Sequence, residues 1–178
     1  MSVHLRWVLA NDLLASFLKT GDARKTLFIS LHADSLHPSA RGTMVYVAGA
    51  ANVPATFALG ASRAAKVAEM KRGAKVSFSA KERLQGEARS RVFAETLLSA
   101  FKAGKVPIHA NRPIRNVIHR SGKSFVPAVI SHCIASTKVL IEVANLANEE
   151  DAGNLKDPAF RENYAEALVK GIRAHFRK

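Results

Sequence analysis

The chain has 178 residues, with 27 Lys and Arg against 14 Asp and Glu and a formal net charge of +13 at pH 7. That length suffices for one domain with a substantial core, and 48 % hydrophobic with 23 % charged residues excludes a fibrous or largely disordered chain. The excess of positive charge favours a polyanionic neighbour, either nucleic acid or an anionic envelope or wall polymer. The single cysteine, Cys133, excludes an internal disulfide and a thiolate metal cluster.

The amino-terminal 21 residues contain no recognisable targeting signal. They lack the uninterrupted apolar core of a signal peptide, and no stretch of 18 apolar residues occurs anywhere in the chain. The sequence therefore predicts neither a signal peptide nor a membrane span in this chain.

The first predicted element is an amphipathic helix over residues 6–19. Leu9, Leu13 and Phe17 stand four residues apart, which is the spacing of one helix face. Gly21 follows the pattern and is expected to end the helix.

Two strands are predicted next. The apolar run at 26–31 predicts a strand that stops at His32, and the β-branched run at 43–49 predicts a second strand. Residues 50–80 are interpreted as an insertion or excursion from the core, with a helical pattern over 61–72 and then a short extended segment.

The second half predicts a long helix, two strands and a final helix. Apolar stripes favour a helix over about 81–102, and strands are predicted at 125–133 and 137–146. Asp157 is expected to cap the last helix, with Pro158 at its first position.

This order of elements predicts an α/β fold with a mixed, mainly parallel sheet covered by helices on both faces. Ligands in open sheets of this kind bind outside the carboxyl ends of the strands. Because His32 and Glu142 both lie at or near such ends, we predict the functional site there.

Glu142 stands inside the apolar run VLIEVANL, where an unpaired carboxylate is costly to keep ionised. One explanation is a buried ion pair with one of the many arginines. The other is a general base or acid beside a metal, because burial and a nearby cation tune a carboxylate for proton transfer. Both explanations remain open at this point.

A zinc hydrolase needs three protein ligands, one open position and a carboxylate that takes a proton from the bound water. His32 and Glu142 supply one ligand and one base. Before His32 the only acidic residues are Asp12 and Asp22, and the only other histidine is His4. The sequence therefore offers no complete ligand set.

Two blocks of sequence resemble the zinc-dependent N-acetylmuramoyl-L-alanine amidases. FISLHADS followed by SARGTMVYV resembles their central motif, in which a strand ends on a metal-binding histidine. The block VPAVISHCIASTKVLIEVANLANEEDAGNLKDPAFRENYAEALVKGI resembles their carboxy-terminal part, in which a strand carries the catalytic glutamate. Arg6 with Ala10 and Asn11 resembles the element that precedes the histidine strand. The resemblance spans most of the chain and is poorest at 50–80 and 111–124.

The resemblance implies a fold of the zinc amidase and phosphorylase/hydrolase-like type. It implies a peptidoglycan hydrolase that cleaves the amide between N-acetylmuramic acid and the L-alanine of the stem peptide, in cell-wall catabolism or remodelling. His32 would be a zinc ligand and Glu142 the catalytic acid/base, with Zn²⁺ as cofactor. It further implies peptidoglycan rather than nucleic acid as partner, a regulatory activator protein, and a place in the cell envelope, periplasmic or extracellular.

The family's other two zinc ligands lie upstream of the Arg and Ala-Asn element. We therefore expect residues 1–178 to be the carboxy-terminal portion of one catalytic domain, without its first strands, and expect weak zinc binding and little activity. Residues 50–80 are candidates for a regulatory segment over the zinc site, and Arg112 and Arg115 for contacts to an anionic substrate. Two alternatives stay open: an inactive basic module that binds cell wall or nucleic acid, and another metal-dependent hydrolase that acts on a different amide.

Overall fold

The computed structural model describes residues 3–22, 25–66, 73–120 and 122–177. The elements in chain order are α1 (Val3–Phe17), β1 (Phe28–Asp34), β2 (Met44–Val47), a 3-10 turn (Ala50–Asn52), β3 (Thr56–Leu59), α2 (Ala61–Ala64), β4 (Ala74–Ser77), α3 (Ala80–Ala103), β5 (Ile114–Arg115), β6 (Ile118–Arg120), β7 (Lys123–Phe125), α4 (Ala128–Ser131), β8 (Lys138–Asn145), α5 (Glu149–Lys156) and α6 (Pro158–Phe176).

The chain divides into two compact units. The first unit consists of Met1–Phe28, Ala48–Arg89 and Asn116–Lys138, and the second of Ile29–Val47, Ser90–Arg115 and Val139–Lys178. None of the described helices is both long and apolar enough to cross a membrane.

The central sheet has four strands in the order β1, β8, β2, β5. Strand β2 runs antiparallel to β8 and parallel to β5. Strand β1 runs parallel to β8, because Phe28 N–H donates to Thr137 O at one end and Leu146 N–H donates to Asp34 O at the other. Two of the three strand pairs are therefore parallel, which confirms the predicted α/β fold with a mixed, mainly parallel sheet.

The core of the second unit contains β2, most of β8 and the helices α3 and α6. Every residue of β2 is buried, and so is nearly all of β8, as the apolar run at 137–146 predicts. Phe101 of α3 packs against Tyr164 of α6 with ring centroids 4.8 Å apart. Gly171 allows close approach of the two helices, because a Cβ there would lie 2.8 Å from Leu97 Cδ2.

The caps of the long helices follow the local sequence. At the start of α3, Ser79 Oγ accepts the Glu82 N–H, and the Glu82 carboxylate accepts the Ser79 N–H at 2.7 Å, which forms a capping box. At the start of α6, Asp157 Oδ1 accepts the Ala159 N–H at 2.9 Å, with Pro158 at the first helical position. Both helices begin within a residue or two of their predicted starts.

The first unit contains α1, α2, α4 and two β-hairpins, β3–β4 and β6–β7. Its core includes Leu5, Trp7, Leu59 and Val76, all buried. The β3–β4 hairpin lies within the segment interpreted as an excursion, and α2 covers only the first part of the helical pattern. Residues 67–72 of that pattern lie outside the described residues.

Residues 125–133 do not form the predicted strand, because Ala128–Ser131 are helical as α4. The reason is a contact distant in sequence. Asn11 Nδ2 donates to His132 O at 2.8 Å, and Asn11 Oδ1 accepts the Ile134 N–H at 2.9 Å. These bonds satisfy backbone groups at the end of α4, so that the β-branched run can adopt a helical turn.

Candidate active site

Glu142 lies on β8, the strand between β1 and β2, where it pairs with Met44. Its side chain is 6 % exposed, and its Oε2 atom is buried without a hydrogen-bond partner among the described residues. Burial and, to a smaller extent, the nearby Asp34 carboxylate together raise the pKa of Glu142 to about 7. At neutral pH both protonation states are populated, as proton transfer requires.

The explanation of Glu142 as half of a buried ion pair does not hold within the described residues. No Lys or Arg there forms a salt bridge with the Glu142 carboxylate. A cationic partner would also lower its pKa, whereas the pKa is raised.

Four titratable groups come together from the four strands of the sheet. Besides Glu142 they are Asp34 on β1, Tyr46 on β2 and Arg115 on β5. Burial is the main cause that raises the pKa of Tyr46. The nearby Arg115 guanidinium opposes this increase, and the carboxylates of Asp34 and Glu142 add to it. Arg115, which the sequence suggested for contacts to an anionic substrate, therefore lies on strand β5 beside Tyr46.

His32 lies within β1, which continues through Asp34, so the imidazole does not end the strand as predicted. It is half-buried, and its Nε2 lies 3.0 Å from Ser30 Oγ. Side chains two residues apart on a strand point to the same side of the sheet, so His32 and Asp34 share a side. The two residues predicted from the sequence, His32 on β1 and Glu142 on β8, therefore lie on neighbouring strands. Asp34, on the same side of β1 as His32, raises the pKa of Glu142.

The described residues do not fit a complete zinc site. Among them, no three His, Cys, Asp or Glu side chains are grouped so that they would hold a metal ion. Two other histidines lie beside hydroxyl groups instead: His37 with Ser39 at 2.8 Å, and His119 with Ser124 at 2.8 Å.

Asn145, at the end of β8, holds the loop that follows β1. Its Oδ1 accepts the N–H groups of Leu36 at 2.9 Å and Ala147 at 3.1 Å. Its Nδ2 donates to the carbonyls of His37 at 3.0 Å and Ala40 at 2.7 Å. With 1 % exposure, this side chain satisfies four backbone groups and joins the carboxyl ends of the two strands that carry the site.

Asp151 of α5 completes this connection. Its Oδ2 accepts the N–H groups of Gly42 at 2.8 Å and Asn145 at 2.9 Å, and its own N–H donates to Asn148 Oδ1. Gly42 is required here because its φ is +85° and a Cβ would lie 2.7 Å from the Ile108 backbone. Asp151, in the acidic first turn of α5, therefore also fixes the loop beside the site.

Fold and site together define an α/β protein whose central strand carries a buried carboxyl group suited to proton transfer. The family model of N-acetylmuramoyl-L-alanine amidase matches residues 10–174, so the chain belongs to that family.

Relatives agree with this assignment. The chain is 26 % identical over 161 residues to the N-acetylmuramoyl-L-alanine amidase AmiC of Escherichia coli O6:H1, a match that covers 89 % of this chain and 37 % of AmiC. The fold is similar to that of the amidase Ami1 from Mycobacterium smegmatis, with a TM-score of 0.54 and 22 % identity over 92 % of this chain and 57 % of that one. It is also similar to the N-acetylmuramoyl-L-alanine amidase from Clostridium difficile 630, with a TM-score of 0.60 and 15 % identity over 100 % of this chain and 67 % of that one.

Proposed function

We propose that this chain hydrolyses the amide bond between N-acetylmuramic acid and the L-alanine of the peptidoglycan stem peptide. Family membership supports the reaction class. The observation that carries the proposal is the buried Glu142 carboxyl group, with a pKa of about 7, on the central strand. The chain spans 37 % of AmiC and 57 % of the Ami1 chain. Because it covers only part of these relatives, their activity is proposed for this chain from the residues that it contains.

In this proposal Glu142 is the catalytic acid/base. Its ionised form accepts a proton from the attacking water while the water oxygen bonds to the amide carbon. The carbon–nitrogen bond then breaks, and the protonated Glu142 donates the proton to the leaving amine of L-alanine. A pKa near the working pH suits both transfers, because the group neither holds nor releases its proton too strongly.

We also propose His32 as one ligand of a zinc ion, a cofactor expected for this family. The described residues offer no complete set of ligands, so weak zinc binding is expected. The remaining proposals are a place in the cell envelope and control by an activator protein.

The test is to incubate the chain in molar excess with purified peptidoglycan and to label the amino groups that appear. We expect slow release of stem peptides with alanine at the new amino terminus, and a faster rate when zinc is added. A different amino-terminal residue, or no release, contradicts the proposed bond. A chelator-treated chain that retains its full rate contradicts the zinc ligand.

A further inference from the structure

One face of helix α1 is apolar and exposed. Leu9, Leu13 and Phe17 are 44 %, 75 % and 47 % exposed, and their spacing of four residues places them along one side of the helix. The opposite side of α1 carries Trp7 and Asn11, which stand four residues apart and are 1 % and 8 % exposed. One side of the helix is therefore covered by its own unit, whereas the apolar row of Leu9, Leu13 and Phe17 is exposed.

The unit that contains α1 carries most of the protein's charge. Its sequence segments contain 15 Lys and Arg against five Asp and Glu, a net charge of +10. The segments of the second unit contain 12 against nine, a net charge of +3. Arg6, Lys19 and Lys25, close to the apolar face in sequence, are exposed, and Arg6 precedes Leu9 by three residues and so shares its side.

We propose that the exposed face of α1 docks on an anionic lipid bilayer. Leu9, Leu13 and Phe17 enter the boundary between head groups and acyl chains, while the basic residues of the first unit face the phosphate groups. The helix lies on the surface and does not cross the membrane.

The combination of apolar side chains with positive charge favours this partner over other polyanions. Nucleic acid and anionic wall polymers neutralise lysine and arginine but offer no apolar layer in which to bury two leucines and a phenylalanine. A second copy of the chain would bring two units of net charge +10 together, and like charges oppose such an association. An anionic lipid surface offers both an apolar layer for the exposed side chains and negative charge for the basic residues.

The experiment is co-sedimentation of the full chain with vesicles of phosphatidylglycerol and phosphatidylcholine in equal parts, and with vesicles of phosphatidylcholine alone. We expect the chain to sediment with the anionic vesicles, and raising the salt concentration to weaken binding. A variant that combines Leu9→Ser with Leu13→Ser is expected to bind about tenfold more weakly, because both side chains lose contact with the acyl region. Leu13→Ser alone is expected to lose about threefold.

The matched control is Leu146→Ser, since Leu146 is 53 % exposed but belongs to the second unit. It is expected to bind like the unaltered chain, and the urea midpoint of every variant is expected to stay unchanged because the replaced side chains are exposed. Full vesicle binding by both Leu13 variants would overturn the proposal, and so would failure of the unaltered chain to sediment. A dimer in light scattering that Leu13→Ser disrupts would instead show a second copy on this face and overturn it as well.

Discussion

Replacing Glu142 with Gln is expected to lower the rate of alanine amino-terminus release by about 100-fold or more. Glutamine has nearly the same size and fits beside Met44, but its amide can neither accept the proton of the attacking water nor donate one to the leaving amine. The rate is measured on purified peptidoglycan under single-turnover conditions.

The matched control is Glu166→Gln on α6, where the carboxylate is 58 % exposed and pairs with Lys170 at 3.1 Å. This variant makes the same chemical change outside the site and is expected to retain the full rate. A Glu142→Gln chain that also retains it would exclude Glu142 as the acid/base.

The Glu142→Gln chain is expected to remain folded. Burial raises the pKa of Glu142 from 4.5 to about 7, so the folded state binds the proton more tightly than the unfolded state does. The free energy of unfolding therefore decreases as the pH rises between these values, and the variant escapes this loss. Urea unfolding at a pH above 7 should show the variant at least as stable as the unaltered chain, so lost activity would not reflect unfolding.

Asn145→Ala is expected to lower the free energy of unfolding by about 3 kcal/mol, since the substitution removes four hydrogen bonds from a buried side chain. The loop after β1 loses its attachment to β8, so the N–H groups of Leu36 and Ala147 should also exchange faster with solvent. Urea unfolding gives the first quantity and hydrogen exchange the second.

The control for Asn145 is Asn163→Ala, which removes a single exposed hydrogen bond to Gly104 O. It should cost less than about 1 kcal/mol. Equal losses in the two variants would mean that the Asn145 contacts do not hold the loop.

Local sequence was sufficient to predict the elements that local interactions determine. The long helix over 81–102 and the last helix after Asp157 have apolar stripes and caps within a few residues, and the structure has both. The buried strand at 137–146 was also predictable, because a nearly continuous apolar run is typical of a strand that is buried on both faces of the sheet in an α/β fold.

Contacts between residues that are distant in sequence could not be predicted from the sequence pattern. Residues 125–133 look like a strand, but the side chain of Asn11 stabilises a helical turn there. The spacing of Leu9, Leu13 and Phe17 correctly indicates one face of a helix, yet it does not reveal that this face is exposed and that Trp7 lies on the packed side.

Some residues of the candidate site could likewise be predicted from the local sequence, and others could not. Glu142 was recognisable because a carboxylate is unusual in an apolar strand, and His32 because it follows an apolar run. Asp34 and Tyr46 were missed as members of the site, and Arg115 was predicted only as a contact to an anionic substrate, since the proximity of these residues depends on the order of four strands. The one signal for Asp34 was its position two residues after His32, on the same side of β1.

Glu142 is expected to titrate close to neutral pH as a buried carboxyl group. The most direct test is a carbon-13 NMR titration of the side-chain carboxyl groups, with the Glu142→Gln chain used to assign the Glu142 signal. We predict a midpoint at about pH 7. A midpoint near the ordinary value of 4.5 would show a solvated or paired carboxylate and would contradict the proposed acid/base role.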